Sequence, residues 1–418
     1  MGRTYDARIG IIGAGISGVT AAYELKKKGY RNVTILEKND YVGGKCHSIE
    51  YRGKTYEMGT LIGLPTYKHT LELMKEFNCT EVGPLLERGF FDRDGHKIAQ
   101  IPMNQVPGFI EEFKRLPDIM SRYERLKEPG FLHLPEDLCQ PFASWCEENE
   151  LVVMKQVYMH YFSTFGFGCI QDVPAAYVLK FLNYDNLMSF IEITHMITWP
   201  RGSRELIKRM ADRVDDLRLT CEVLRIEPTA NGCVQVETSQ GVIEFDAVIY
   251  TAPMHNFPKL VPLPPSDQHW FKQIKYQRFR VYAYRVEGLP EVSGYIPSNM
   301  CSERKGHMMA WYDRWADQGK SELVTVYVLE HEHMSDQQMR EAVEQKLSKL
   351  GGRQIQLYMM KRWEHCPHVN AETLRAGFYE QLEGMQGRDQ IYLAGEIMNF
   401  PTLEHGIIYA KHLVSRFF

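Results

Sequence analysis

The chain has 418 residues, 44% of them hydrophobic, so it can bury a large core and has the length of two or three domains. Its formal net charge of −4 argues against a nucleic-acid-binding protein and against a strongly basic membrane-binding surface. No run of 18 apolar residues is present, and charged residues at positions 3, 6 and 8 lead directly into a predicted strand. We therefore expect no integral membrane segment and no signal peptide, and we predict a cytoplasmic protein.

The first predicted unit is a strand, a glycine-rich turn and a helix. Residues 9–12 are apolar, residues 13–18 read Gly-Ala-Gly-Ile-Ser-Gly, and a helical pattern follows. In a dinucleotide-binding unit the first glycine makes the turn, the second lets a pyrophosphate approach, and the third allows close helix–strand packing. The free N–H groups of the helix then face the phosphates. The spacing assigns these roles to Gly13, Gly15 and Gly18.

The second predicted strand, residues 33–36, ends at Glu37, which lies 22 positions after Gly15. A carboxylate at this spacing accepts hydrogen bonds from the adenosine ribose and would repel a 2′-phosphate, so NADP is not expected. The glycine pair at 43–44 resembles the FAD signature of the flavin amine oxidase superfamily. Residues 391–396 resemble the distal flavin motif of that superfamily, in which a carboxylate, here Glu396, holds the ribityl chain. Two signals so far apart favour FAD over NAD.

The middle of the chain alternates between helical and α/β patterns. Residues from about 76 to 195 are rich in Met, Tyr and Phe and predict a helical cap. In the superfamily, backbone near Val223 contacts adenine, and the turn of Thr251 and Pro253 lies close to the flavin. We predict helices at 109–127, 177–190, 203–214 and 336–350, and strands at 219–226, 234–238, 247–250, 279–286 and 323–329.

The last helix, from about Leu403, is expected to point its N–H groups at the pyrimidine end of the flavin, where a partial positive charge stabilises the anionic reduced form. The predicted fold is α/β: a Rossmann-type FAD-binding domain interleaved with a mixed-sheet substrate domain and a helical cap. The predicted boundaries are 1–75, 199–255 and 386–418 for the FAD-binding domain, 76–198 for the cap, and 256–385 for the second substrate portion.

Cysteine and histidine patterns point to no metal site. The nine cysteines are irregularly spaced with no C-x-x-C pair, which indicates reduced thiols. Two histidine pairs, 331/333 and 365/368, are candidate ligands, but Pro367 forbids a continuous helix across the second pair and the first lies among charged loop residues. No Ser/His/Asp array, Walker loop or paired acidic motif is present, so the cofactor would carry the chemistry.

Nine aromatic residues lie between positions 158 and 190. Such density is typical of a core, but a pocket for a long acyl chain is built from the same residue types. Both interpretations stay open on composition alone.

Segments along the whole chain resemble the bacterial polyunsaturated fatty acid isomerases, FAD enzymes that convert linoleic acid into conjugated linoleic acid. The middle segments are not shared by flavoproteins at large. The resemblance implies a redox-neutral reaction in which oxidised flavin takes a hydride from the carbon between two double bonds and returns it to another carbon, inside a pocket that excludes water. The matching segments are 43–48, 56–59, 165–168, 173–180, 188–190, 314–317, 383–388 and 394–398.

In that family an arginine after a Gly-Pro pair holds the fatty acid carboxylate, and an aromatic residue after Met-Ser gates the tunnel. The corresponding residues here are Arg88 and Phe190. A guanidinium can hold a carboxylate bidentately, although on sequence alone Arg88 could instead pair with Glu87, and Phe190 could be a core residue. The expected substrate contacts are Arg88, Phe190, Phe165, Phe167 and Tyr177. The expected cofactor contacts are Gly13, Gly15, Ile16, Ser17, Gly18, Glu37, Lys38, Gly43, Gly44, Lys45, Met58, Gly59, Val223, Thr251, Pro253, Gly395, Glu396 and His405.

Two departures from the family pattern concern the substrate and the reaction rather than the cofactor. Residues 95–155 show little of the pattern, and Arg201 introduces a cation that could lie near the flavin or the pocket. Two other functions remain open: an FAD-dependent amine or amino acid oxidase of the same fold, and a non-catalytic FAD-containing lipid-binding protein.

Overall fold

The computed structural model describes residues 4–192, 196–319 and 321–418. Its strands, in chain order, are β1 Arg8–Ile12, β2 Asn32–Leu36, β3 Ser48–Tyr51, β4 Lys54–Glu57, β5 Arg88–Phe91, β6 Lys97–Ile98, β7 Asp216–Arg218, β8 Val223–Pro228, β9 Val234–Thr238, β10 Gly241–Phe245, β11 Ala247–Tyr250, β12 Lys275–Glu287, β13 Ser293–Tyr295, β14 Ala310–Tyr312, β15 Val324–Leu329, β16 Arg353–His368 and β17 Ile391–Leu393.

The helices are α1 Ile16–Lys27, α2 Lys68–Glu76, α3 Val106–Ser121, α4 Phe142–Glu148, α5 Val152–Thr164, α6 Ala175–Phe181, α7 Tyr184–Glu192, α8 Arg204–Ala211, α9 Phe257–Leu260, α10 Pro265–Lys272, α11 Asp336–Lys349, α12 Ala371–Arg375, α13 Phe378–Gly384 and α14 Leu403–Phe417.

A five-stranded parallel sheet in the order β17-β11-β1-β2-β7 forms the first layer. Its strands come from three distant stretches of the chain, and α1 packs on it together with α8 and α14. The strands are nearly continuous apolar runs because both faces of the sheet are covered. Since the carboxyl ends of parallel strands share one edge, the loops after β1, β2, β11 and β17 meet there.

A seven-stranded mixed sheet in the order β16-β12-β15-β14-β13-β5-β6 forms the second layer. The pairing of β13 with β5 is parallel, and the other pairs of this sheet are antiparallel. A secondary apolar cluster lies between this sheet and α11. The main core cluster contains residues of the parallel sheet, of the helices and of the face of the mixed sheet that points away from α11. The two sheets therefore share one hydrophobic core.

The predicted α/β fold with a Rossmann-type layer and a mixed-sheet layer is confirmed. The predicted strands at 234–238 and 247–250 have the observed bounds. The single helix predicted for 177–190 is wrong, because Leu182 leaves the helical region and the Asn183 side chain accepts a hydrogen bond from the Asn186 N–H at 3.0 Å, starting α7. The domain limits remain predictions.

Two other sequence expectations need adjustment, and one strand was not predicted. The helix predicted for 109–127 ends as α3 at Ser121, and a separate 3₁₀ turn covers 124–127. The strand predicted from 219 starts at Val223, because Thr220 adopts a left-handed conformation with φ 53°. The 16-residue strand β16 was not predicted, since exposed and half-buried residues alternate along most of it.

Among the described residues, no helix is long and apolar enough to cross a membrane. Within the same residues, no group of three or more His, Cys, Asp or Glu side chains could hold a metal ion. All nine cysteines are free thiols, and seven of them are buried.

Candidate active site

A cavity of about 770 Å³ opens at the carboxyl edge of the parallel sheet. Its wall includes the glycine-rich loop after β1, the residues after β2 and β11, and part of β16. Phenylalanine side chains on α6 and α7, after α5 and before α14 complete the wall. One continuous cavity therefore joins the predicted nucleotide-binding loop to the aromatic segment.

The glycines of the loop have different surroundings. A Cβ atom on Gly15 would meet no protein atom within 4 Å, so this position faces open space in the cavity. A Cβ on Gly18 would lie 2.0 Å from the Gly13 carbonyl oxygen, and Gly13 itself has φ +104°. Gly18 and Gly13 are thus required by packing and backbone conformation, whereas Gly15 leaves room for a ligand.

The N-terminus of α1 offers free backbone donors to this space. No side chain caps the helix at Gly15, and Ile16 and Ser17 line the cavity. Unfilled N–H groups and the helix dipole favour an anion at this position. The loop therefore fits the pyrophosphate of a dinucleotide.

Glu37 lies in the cavity wall and is only 7% exposed. Its Oε2 accepts from the Ala14 N–H at 2.8 Å, and its Oε1 accepts from the backbone N–H and the side-chain amide of Asn39 at 2.9 and 2.6 Å. A carboxylate oxygen has two lone pairs, so Oε2 retains acceptor capacity for a ribose hydroxyl. Val223 lines the same cavity.

The second glycine pair packs against the first loop. The Gly43 N–H donates to the Ala14 carbonyl at 2.9 Å, and a Cβ on Gly44 would lie 3.3 Å from the Gly15 Cα. Beside them, Lys45 forms an ion pair with Glu396 across the cavity wall. This ion pair connects the two motifs that are almost a chain length apart in sequence.

The turn after β11 closes the same edge. The Thr251 hydroxyl donates to the Ile12 carbonyl at 2.7 Å, which ties the turn to the end of β1. Gly395 has φ +97°, and a Cβ there would lie 2.8 Å from the Thr251 carbonyl oxygen. Only glycine fits this crossing of two loops.

The N-terminus of α14 also reaches the cavity, through Thr402 and Leu403. The Thr402 side chain accepts from the His405 N–H, and its hydroxyl lies 2.7 Å from His405 Nδ1. Burial lowers the pKa of His405 to about 3, with a smaller contribution from the charge of Lys180. The imidazole is therefore neutral and supports the helix cap from behind the cavity wall.

The structure brings most of the predicted cofactor contacts together. Gly18, Met58 and His405 lie behind the wall: Gly18 packs on Gly13, and the Met58 carbonyl accepts from the Trp363 indole N–H at 2.6 Å. The predicted contacts that line the cavity are Gly13, Gly15, Ile16, Ser17, Glu37, Lys38, Gly43, Gly44, Lys45, Gly59, Val223, Thr251, Pro253, Gly395 and Glu396.

Five of the six phenylalanines that line the cavity form what we call the phenylalanine cage: Phe165, Phe167, Phe181, Phe190 and Phe400. The rings of Phe181 and Phe400 are stacked with centroids 5.5 Å apart, and Phe167 meets Phe400 edge to face at 4.9 Å. Phe181 is one of the nine aromatic residues at 158–190 that the sequence left open between core and pocket, and Phe400 was not considered for the site. The only local signal for Phe400 is its place four residues after Glu396.

His365 on β16 also faces the cage, with its ring 5.1 Å from that of Phe167. Burial, together with the charge of Lys45, holds the pKa of this imidazole well below its usual value. His365 is therefore neutral at physiological pH. Tyr177 lies outside the cavity wall; its hydroxyl accepts from the Val369 N–H at 3.1 Å and contacts the Tyr379 hydroxyl at 3.0 Å.

Arg88 lies directly behind the cage. Its Nη2 donates to the Phe190 carbonyl and, at 3.1 Å, to the Tyr161 hydroxyl. Its buried Nε and Nη1 have no hydrogen-bond partner, and no carboxylate pairs with it among the described residues, Glu87 included. A permanently charged group with unfilled buried donors can bind an anionic ligand.

Arg201 lies on the surface instead. Its guanidinium pairs with Glu81 at 3.1 Å and with Glu205 at 3.7 Å, and it does not line the cavity. The expectation of an extra cation near the flavin or the pocket is wrong, because these two acidic side chains hold the guanidinium outside.

Comparison with known proteins identifies relatives along the whole chain. The family described as flavin containing amine oxidoreductase matches residues 16–406. A crystal structure of the CLA-producing fatty acid isomerase from P. acnes is 33% identical and superposes with a TM-score of 0.95 over 100% of both chains. A putrescine oxidase structure, 17% identical, has a TM-score of 0.77 over 98% of both chains and shares the fold.

Curated relatives match shorter segments. The polyenoic fatty acid isomerase of Ptilota filicina is 30% identical over 143 residues, which cover 34% of this chain and 25% of that protein. The 1-hydroxycarotenoid 3,4-desaturase of Flavobacterium sp. is 55% identical over 56 residues, 13% of this chain and 11% of that protein. The alignments thus span a quarter or less of these two relatives' lengths.

Proposed function

Because the chain belongs to the flavin-containing amine oxidoreductase family and is related within it to fatty acid isomerases, we propose that it is an FAD-dependent isomerase. Its substrate would be a polyunsaturated fatty acid such as linoleic acid, and the product a conjugated isomer. The observation that carries this proposal is the single cavity in which a pyrophosphate-type loop and the phenylalanine cage share one wall.

The residues present fit FAD. Gly15 and the N-terminus of α1 would hold the pyrophosphate, Glu37 the adenosine ribose, and Glu396 with Lys45 the region near the ribityl chain. The N–H groups at the start of α14 would lie near the isoalloxazine. When bound, the flavin supplies a hydride acceptor and donor in one group.

The phenylalanine cage supports the choice of an apolar substrate. Loss of a hydride from the methylene between two double bonds leaves a delocalised cation on the fatty acid chain, which water would trap. Phenyl rings exclude water and their faces attract positive charge, so the cage would protect this cation. The neutral state of His365 adds no competing positive charge to this part of the wall.

Arg88 would hold the carboxylate of the fatty acid, since its unfilled donors lie directly behind the cage. Phe190 lines the cavity, and its carbonyl accepts from Arg88, so Phe190 lies between the cavity and the guanidinium. A chain that reaches from the cage to Arg88 must displace the Phe190 ring. Phe190 would therefore act as a gate.

The test is anaerobic incubation of the purified protein with linoleic acid, followed by product analysis. We expect ultraviolet absorbance of a conjugated diene to rise, and in a parallel aerobic reaction we expect dissolved oxygen to stay constant. The flavin-depleted Gly15→Val protein is the control and should form no product. Oxygen uptake with amines and no diene from any polyunsaturated acid would instead identify an oxidase. Fatty acid binding without turnover would identify a lipid-binding protein.

A further inference from the structure

The hydroxyl of Tyr161 has an unusual hydrogen-bond balance. Tyr161 is fully buried on α5, and its ring is stacked on that of Phe190 with centroids 4.7 Å apart. Its oxygen accepts from the Gln100 amide at 2.8 Å and from Arg88 Nη2 at 3.1 Å. A phenol oxygen has two lone pairs and one hydrogen, so both acceptor positions are filled. Its own hydrogen has no acceptor among the described residues.

That hydrogen is present at physiological pH. Burial raises the pKa of Tyr161, and this effect exceeds the opposite influences of the Arg88 charge and the Gln100 hydrogen bond. The Tyr161 hydrogen and the N–H groups of Arg88 Nε and Nη1 are thus unfilled donors on two side chains in direct contact. An unfilled buried donor is costly, so a site with only donors indicates an acceptor that arrives with a ligand.

The charge around these donors limits the ligand to one negative charge. His160 lies nearby, but burial and the charge of Arg88 lower its pKa to about 4, so it is neutral. Among the residues that the structure describes, Arg88 is then the single cation of the cluster. A carboxylate matches both the charge and the number of donors, because each oxygen accepts more than one hydrogen bond.

We propose that the Tyr161 hydroxyl is a second ligand of the substrate carboxylate, beside Arg88, and that Gln100 is a positioning residue that keeps this hydroxyl pointed at the substrate. The inference rests on the proposed fatty acid substrate. Gln100 acts through Tyr161: by donating to the phenol oxygen it prevents the hydroxyl from turning its hydrogen toward the protein.

Gln100 lies on the same hairpin as Arg88, two residues after β6. Arg88 begins β5, which pairs with β6, so the hairpin places both side chains against α5. The hairpin and α5 together therefore define how the acid end of the substrate is recognised.

The first test measures equilibrium binding of palmitate and of methyl palmitate to the FAD-loaded protein. Palmitate has no diene, so its binding is measured without turnover. We expect Tyr161→Phe to weaken palmitate binding about tenfold and to change binding of the ester less than twofold. Tyr158→Phe is the matched control, since Tyr158 is equally buried on the same helix and, within the described part of the chain, its hydroxyl hydrogen-bonds only to the Met120 sulfur, at 3.9 Å. Equal loss for acid and ester, or no loss for either, would overturn the proposal.

The second test concerns Gln100. A carboxylate at this position would accept the Tyr161 hydrogen, so Gln100→Glu should weaken palmitate binding more than the apolar Gln100→Met. In a Tyr161→Phe background, Gln100→Met should have no further effect, because Gln100 acts only through the hydroxyl. Additive losses, or an unchanged affinity for palmitate in Gln100→Glu, would refute the positioning role.

Failure of this inference is distinguishable from failure of the proposed function. If Tyr161→Phe lowers the preference for acid over ester about tenfold in a protein that forms no conjugated diene, the carboxylate site stands and the isomerase proposal falls. If the protein isomerises linoleic acid and Tyr161→Phe lowers kcat with KM for the acid unchanged, the isomerase proposal stands and the role of Tyr161 as a carboxylate ligand is refuted.

Discussion

At the scale of single residues, the glycine-rich loop separates folding from ligand binding. Gly18 allows α1 to lie against the Gly13 carbonyl, so any side chain at this position disrupts the fold. At Gly15, three residues earlier, an added Cβ would meet no protein atom within 4 Å. The two glycines are therefore expected to respond differently to substitution.

We predict that Gly15→Val folds but loses FAD during purification, because the valine side chain occupies the space that the pyrophosphate needs. The flavin-to-protein absorbance ratio and reconstitution with added FAD measure this effect. Gly384→Val is the control, since a Cβ at Gly384 also meets nothing within 4 Å and Gly384 does not line the cavity. A Gly15→Val protein that retains stoichiometric FAD would contradict the assignment.

Arg88 supplies a second prediction at this scale. Removal of its guanidinium deletes a charge-assisted hydrogen-bond pair of the kind that contributes about 1.5–3 kcal/mol. Arg88→Ala should therefore weaken the binding of free fatty acids by roughly ten- to a hundredfold. Methyl esters should bind poorly to the unaltered protein, and the substitution should change their affinity little. Arg201→Ala, which removes a surface guanidinium paired with Glu81 and Glu205, should leave both affinities unchanged. Equal effects on acid and ester would exclude Arg88 as the anchor.

At the scale of elements, α5 is central because it carries Tyr161 and packs against α3. No side chain of α5 or its N-cap residue caps its N-terminus. Instead, the Glu112 carboxylate of α3 accepts from the N–H groups of Val152, Val153 and Met154 at 2.7–3.0 Å. One buried carboxylate thus fixes the start of α5 and its angle to α3.

Loss of this cap should be costly. Glu112→Ala leaves three backbone donors of α5 without an acceptor, so the free energy of unfolding should fall by about 2–3 kcal/mol. The neighbouring Glu111 is exposed, and Glu111→Ala should change stability by no more than about 0.5 kcal/mol. Urea denaturation of the FAD-loaded proteins gives both values. Similar stabilities for the two variants would show that the carboxylate does not hold α5.

At the scale of the whole molecule, several buried or half-buried histidines are held in the neutral form. Burial lowers the pKa of His47 and His160 to about 4, and that of His405 to about 3. Below the ordinary histidine pKa of about 6.5, the unfolded chain binds protons that the folded protein does not bind. Stability is therefore retained above this pH and lost as the pH falls from about 6.5 toward 4.

A single substitution should reduce this loss. In His405→Gln, the fall in unfolding free energy between pH 6 and pH 4 should be smaller by up to about 1.4 kcal/mol per pH unit, which corresponds to one proton. Denaturation at a series of pH values, with excess FAD, measures the slope. His333→Gln is the control, since the His333 side chain is 79% exposed. An unchanged slope in His405→Gln would mean that His405 is protonated in the folded protein.

The nucleotide-binding loop could be predicted from the sequence because the residues that the loop requires lie close together in the chain. A turn that needs positive φ at Gly13, an open position at Gly15 and an acidic residue after the next strand are all set by spacing along the chain. The two distant motifs also pointed to one cofactor, and in the fold Lys45 and Glu396 contact each other. Strands with apolar runs were also predictable from the sequence. β16 was not, because exposed and half-buried residues alternate along most of its length.

The sequence by itself determined the fold class, the family resemblance and the loop that would receive the cofactor. Only the tertiary structure decided which aromatic residues form the cage, because Phe181 and Phe400 lie more than half the chain apart in sequence and meet through packing. It also decided that Arg88 Nε and Nη1 have no acceptor among the described residues, while Arg201 is paired with Glu81 at the surface, because these partners come from distant parts of the chain. Which donors and acceptors of a side chain find partners depends on neighbours that folding brings together, so the spacing of residues in the sequence does not predict it.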